Sequence, residues 1–252
     1  MKAFSDKMIC LGKVTYSESS QIVTLFSREH GKLRAIAKGS RREKGGFSGG
    51  LDLLYLGNAD FIPPRGSSEL GTLTNFELEQ SFPGLRKDLL ALNSGLFIAE
   101  FTADMLEDMD SHPEIYDLFV KSLVRLEKAE AAEQVIFNYE RYLMTKTGHQ
   151  PMLDSCCLCG CEVGDIERPY FSSSSGGVVC DGCCPSVEEK RLSERKVIDL
   201  LDKGMLPAEG GTDIIIKAHG LLCYHKRAIT GRPGKVMGFL NSLLLGKLSQ
   251  PE

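Results

Sequence analysis

Two Cys-x-x-Cys pairs, Cys156 with Cys159 and Cys180 with Cys183, stand twenty residues apart (160 to 179). Each pair can fold as a tight turn that aims two thiolates at one point, and two such turns supply the four soft ligands of a closed tetrahedral zinc site. A site closed by four protein ligands has no open position for a substrate. The spacing therefore predicts a structural Zn2+ that folds a small module, and it places the function of the chain elsewhere. Cys157, Cys161 and Cys184 crowd the same turns, but Gly160 directly after Cys159 favours the chosen set, because glycine lets the backbone turn around a metal with positive φ. The odd total of nine cysteines argues against a disulfide framework. Cys10 and Cys223 lie outside the cluster and read as small core hydrophobes.

The start from Met1 to Leu11 has no apolar stretch of the kind that directs secretion, and no run approaches the length of a spanning helix. A cytoplasmic protein with no membrane partner is expected. The net charge of −4 says little, but its distribution is uneven. Residues 1–50 sum to +6, residues 81–150 and 151–190 each to −5, and residues 214–251 hold six basic side chains and no acid. Two basic ends flanking an acidic middle suit a polyanion at the ends. Lys32, Arg34, Lys38, Arg41, Arg42 and Lys44 fall within thirteen residues with Glu43 alone opposing them, and these are the expected phosphate ligands. Lys226, Arg227, Arg232 and Lys235 form a second basic stretch that could extend the track. Phe26, Phe47, Tyr55 and Phe61 are available for base stacking, although aromatics in strands more often fill cores.

The first eighty residues read as short strands: Met8 to Val14, Gln21 to Ser27, Lys32 to Ala37, Leu51 to Leu56, Ala59 to Ile62 and Glu69 to Thr74. Closely spaced strands with glycine-bearing turns predict a small barrel, of OB or SH3-like type. After Pro83 the apolar residues recur at helical spacing: Leu85, Leu89, Leu92, Leu96, Ala99, Ala103. A second helix is signalled by Ser111 and Glu114 as a capping box around Pro113, and a third runs from Ala131 to Thr147. Ser172 to Gly177 reads as a flexible tip. Helices resume over residues 193–203 and 214–248, with a break at Gly231-Arg-Pro-Gly234. The predicted class is α+β multidomain: an OB-type barrel over 1–80, a helical domain over 81–150, an inserted zinc module over 151–190, and C-terminal helices over 191–252 that complete the helical domain.

Five segments in this order resemble the RecO family of bacterial recombination mediators. Tyr16-Ser-Glu-Ser-Ser-Gln-Ile-Val is similar to the family's first hairpin, Ala37-Lys-Gly-Ser-Arg-Arg42 to its basic turn, and Glu69-Leu-Gly-Thr-Leu-Thr74 to its last barrel strand. Gly148-x-x-Pro151 leading into the cysteine pairs, and Tyr224-His with Gly231-Arg-Pro233, resemble its zinc module and C-terminal signature. Glu43 and Gly45-Gly46 depart from the family's pattern, in which a second basic or serine-bearing step follows the Arg-Arg pair. The resemblance implies a non-enzymatic, nucleoid-associated mediator. It would bind single-stranded DNA, with double-stranded DNA as a further ligand, and anneal strands coated by single-strand-binding protein. With RecR it would help load RecA. No phosphate-binding loop for a nucleotide and no esterase elbow is present. His112-Pro-Glu114 before the first pair superficially suggests a zinc deaminase, but that reading leaves the second pair without a role. A zinc-ribbon adaptor that binds only protein is the remaining alternative.

Overall fold

In the computed structural model, residues 2–42, 46–47, 50–66, 68–204 and 211–248 are described, so Lys44 falls outside the described residues. The chain divides into two compact units, residues 1–130 and 131–252. The boundary lies inside the segment expected as one helical domain: the first two helices belong with the barrel and the third with the cysteine module.

In the first unit, strands β1 (Phe4–Thr15), β2 (Gln21–Ser27), β3 (Gly31–Ala37), β4 (Leu56–Ile62) and β5 (Gly71–Gln80) close into a barrel in the order β1-β2-β3-β5-β4. Only the β3–β5 pair is parallel. This is the five-stranded Greek-key arrangement of an OB-type barrel. Strict alternation drives it: Leu33, Ala35 and Ala37 point inward and are buried, while Lys32, Arg34 and Ile36 face outward. The core gathers Met8, Cys10, Val23, Leu25, Phe61 and Phe76. Residues 51–55, expected to begin a strand, form a turn with Leu54 at φ 65° and its side chain fully buried. Those leucines are apolar because Leu51 and Leu53 pack on the barrel core and Leu54 stands against Gly95, and β4 starts at Leu56. At the β2–β3 hairpin Gly31 has φ 70°, and a Cβ there would lie 1.8 Å from the Asp110 carbonyl oxygen, so only glycine fits.

Helices α1 (Leu89–Met105) and α2 (Pro113–Glu127) complete this unit. Asp88 caps α1 by accepting from the Ala91 amide. The face α1 buries runs through Ala91, Ser94, Ile98, Thr102 and Met105, and Leu89 of the expected stripe is exposed. A helix apolar on nearly every side carries little phase information. At α2, Pro113 stands in the first turn as expected, and the N-cap is His112, one residue after the Ser111 of the expected box, with no capping bond from its own side chain. Phe26 of β2 meets Tyr116 and Phe119 of α2 edge to face.

The second unit contains α3 (Ala132–Lys146), a three-stranded sheet of β6 (Tyr170–Ser172), β7 (Gly177–Val179) and β8 (Arg191–Leu192) in the order β7-β6-β8, then α4 (Arg195–Lys203), α5 (Gly211–Thr230) and α6 (Met237–Leu248). Arg141 donates to the Leu201 and Asp202 carbonyls at the end of α4, satisfying acceptors the helix leaves open. The serine turn after β6 is a tied structure and not a flexible tip: the Glu189 carboxylate accepts from Ser172, from the Ser174 hydroxyl and from the Ser174 amide.

Candidate nucleic-acid interface and metal centre

Registers place one row of side chains around the outside of the barrel: Val14 beside Ile22, Ile22 beside Ile36, and Ile36 beside Thr72. The adjacent row runs from Thr24 to Arg34. The third row, Phe26 beside Lys32, lies against the helices of the same unit. The solvent-facing part therefore combines branched aliphatic surface with Arg34, and its rim is extended by the turn after β3. There Lys38, Arg41 and Arg42 are exposed. The turn is well held: Ser40 is buried with its hydroxyl 3.0 Å from the Ala37 carbonyl and 3.1 Å from the Gln21 side chain, and the Arg41 amide donates to Ser19.

Tyr16, absent from the expected stacking set, is 63 % exposed and follows Val14 by two residues at the end of β1. The period-two spacing aims its ring to the same side as Val14. Arg41 reaches the same loop, its guanidinium donating to the Ser17 carbonyl at 3.3 Å. The aromatics expected to stack do not present faces: Phe26 and Phe61 are buried, and Phe47 and Tyr55 pack on the barrel core, with the Arg86 guanidinium 5.0 Å from the Tyr55 ring. The sequence signal for Tyr16 was alternation itself, since Val14 and Tyr16 are the only bulky apolar residues on the outward side of that strand end.

Two expected phosphate ligands are engaged elsewhere. Lys32 donates to the Ala103 carbonyl at 2.9 Å and to Leu106, and pairs with Asp108 at 3.2 Å, so it serves the C-terminal end of α1. Lys226 is 5 % exposed inside the second unit, which removes it from any surface track. Arg34 stays exposed, with Glu69 4.0 Å away, and Arg227, Arg232 and Lys235 are exposed in the second unit. The structure brings Arg34, Lys38, Arg41 and Arg42 to one barrel edge.

In the second unit Cys156, Cys159, Cys180 and Cys183 converge, their sulfurs all within 4.8 Å of one another. Gly160 takes φ 75° and its amide returns to the Cys156 carbonyl, the turn the spacing predicts. Cys183 and Cys184 amides likewise return to the Cys180 carbonyl. The Cys159 and Cys180 sulfurs are 3.7 Å apart, against a tetrahedral edge of about 3.8 Å for zinc–sulfur bonds of about 2.3 Å. Burial opposes the Cys156 thiolate, but the amides of Cys180, Cys159 and Leu158 outweigh it and pull its pKa down to about 6. Amides aimed at sulfur are the usual support of a thiolate ligand. The donor set and spacing thus fit zinc. Cys157 uses its amide to bind Val178, Cys184 is buried with its carbonyl on Lys190, and Cys161 touches Cys159 and Cys180 from the edge of the converging four.

Comparisons with known proteins point to one family. The family model for the recombination protein O N terminal matches residues 1–82, and that for its C terminal matches residues 86–203. The chain is 34 % identical over 183 residues to a DNA repair protein RecO of Myxococcus xanthus, covering 73 % of each chain. A protein of the same description from Rhodopirellula baltica is 32 % identical over 194 residues, 77 % of this chain and 72 % of the relative. Another, from Caldanaerobacter subterraneus, is 30 % identical over 202 residues, 80 % and 79 % of the two chains.

Proposed function

The chain belongs to the RecO family of DNA repair proteins, and from that premise we propose that it is a non-enzymatic mediator that binds single-stranded DNA on its barrel and promotes annealing of complementary strands. RecR, single-strand-binding protein and RecA are the partners this reading implies, with RecA loaded onto coated DNA. The observation that carries it is the outer barrel face, where Tyr16, Val14, Ile22 and Ile36 lie beside Arg34 and Arg41. Single strands are bound by this pairing of stacking or apolar surface with phosphate-neutralising charge, since every nucleotide offers a π-face and an anion. The four-cysteine cluster holds a structural zinc in this reading, its four protein ligands leaving no position for substrate. Among the described residues no helix is long and apolar enough to cross a membrane.

Oligonucleotide binding that weakens steeply with salt supports this reading, and binding that is absent or indifferent to salt supports the adaptor instead. Tyr16→Ala is expected to cost about 1–3 kcal/mol of single-strand affinity, the typical worth of one aromatic stacking face, with Tyr16→Trp restoring it. Neither variant alters a phosphate contact, so the salt slope stays at its wild-type value. Fluorescence anisotropy over a salt series measures both quantities, and an unchanged affinity in Tyr16→Ala would remove the ring from the interface.

A further inference from the structure

Far from the cysteine pairs in sequence, the helices of the second unit bring together three side chains that the reading above leaves without a role. Glu140 comes from α3, and His219 and Cys223 stand one turn apart on α5, on one face of that helix. All three are buried, Glu140 to 0 %, His219 to 2 % and Cys223 to 4 % exposure. His219 Nδ1 lies 3.0 Å from Glu140 Oε1 and 2.9 Å from Oε2. The Cys223 sulfur lies 3.6 Å from Glu140 Oε1 and 3.7 Å from both ring nitrogens of His219, so it rests to one side of the ring. On the far side of the ring, His219 Nε2 is 3.1 Å from the Asn241 Oδ1 of α6.

With the Asn241 amide oriented as it stands, the ring and the carboxylate need a cation between them. An amide oxygen only accepts, so Nε2 must carry a hydrogen, and a neutral ring then turns the Nδ1 lone pair toward a carboxylate that also has only lone pairs. A proton or a metal ion has to stand between them. A carboxylate buried away from water is costly without a positive partner, so Glu140 calls for one at this point.

We propose that Glu140, His219 and Cys223 form an interior metal site for a divalent cation of the zinc class. Nδ1 faces both carboxylate oxygens almost equally, so either can turn to an ion standing between ring and carboxylate. Zinc–nitrogen and zinc–sulfur bonds of about 2.0–2.1 and 2.3 Å set a tetrahedral N–S edge of about 3.6 Å, so the sulfur keeps its distance from Nδ1 and swings off the ring toward the ion as it binds. The 2.9–3.0 Å nitrogen–oxygen contacts suit a proton and open by a few tenths of an ångström when the larger ion enters. A histidine ligand whose other nitrogen donates to an amide carbonyl is the usual supported form. The buried Cys223 thiol gives up its proton as it takes the metal. Carboxylate and thiolate together then neutralise a divalent ion, and the soft sulfur selects zinc over magnesium or calcium. Both α5 ligands lie beyond residue 203, where the family match ends.

The test is metal analysis of the full chain purified in reducing, chelator-free buffer. About two zinc equivalents per chain are expected in the wild type, and about one in each of Cys223→Ser and Cys183→Ser, since each variant loses one site. A wild type with about one equivalent that Cys223→Ser retains overturns the proposal and leaves the trio holding a proton. If Cys223→Ser does not fold, cobalt substitution of the wild type decides. A second absorption component with one-thiolate intensity beside the four-thiolate one supports the interior site, and the four-thiolate component alone overturns it.

Discussion

Replacing Cys183 with serine, or stripping the protein with a chelator, is expected to unfold the module around residues 152–192 outright. Its three strands span three, three and two residues, and its core is little more than Leu153, Val163, Phe171, Val178 and Val179. So few apolar residues cannot offset the chain entropy of about forty ordered positions. Zinc bound by such small modules supplies about 10–16 kcal/mol of apparent free energy at neutral pH, most of which appears as folding. Loss of one thiolate forfeits enough of this to leave the segment open to proteolysis. Residues 151–190 sum to −5 and repel phosphate, so oligonucleotide affinity should change little. Limited proteolysis with elemental analysis checks the first statement and anisotropy the second. A protease-resistant module without zinc would show that packing and not metal holds it.

Arg41→Ala with Arg42→Ala is expected to lower affinity for all single-stranded sequences alike and to reduce the salt slope by about 0.7 for each lost contact. Phosphate contacts position a strand without reading it, which is why no sequence preference should appear. The fold should survive, because the turn is held by backbone bonds from Arg41 to Ser19 and Arg42 to Gly39 and by buried Ser40, none of which needs the guanidinium groups. An unchanged slope in the folded variant would move the site to Arg34 alone or to the exposed Arg227, Arg232 and Lys235.

The barrel was readable because its strands alternate cleanly, as Leu33, Arg34, Ala35, Ile36 and Ala37 do. Residues 51–55 misled because a leucine pointing into a core has the same composition in a turn as in a strand. The cysteine module was readable because metal ligation demands fixed local spacing, and the structure brings the same four sulfurs together. Charge was a poorer guide. Lys32 lies among exposed basic residues in sequence, but β3 points it at the end of a helix more than seventy residues further on, which no local pattern reveals. Lys226 shares a basic stretch with Arg227, but α5 turns one inward and the other out. The Glu140, His219 and Cys223 trio joins positions 79 and 83 residues apart through helix packing, so Cys223 read as one more small core residue.

Annealing of complementary oligonucleotides without any nucleotide, naked and coated with single-strand-binding protein, decides the account. Repulsion between two polyanions limits the spontaneous reaction, and a protein that neutralises phosphates on its barrel edge lowers that barrier. The account predicts that the wild type accelerates annealing in both conditions and that the Arg41/Arg42 alanine variant, folded by circular dichroism, loses the acceleration. A wild type that leaves the rate at its spontaneous value, or a variant that anneals as fast as the wild type, would contradict it.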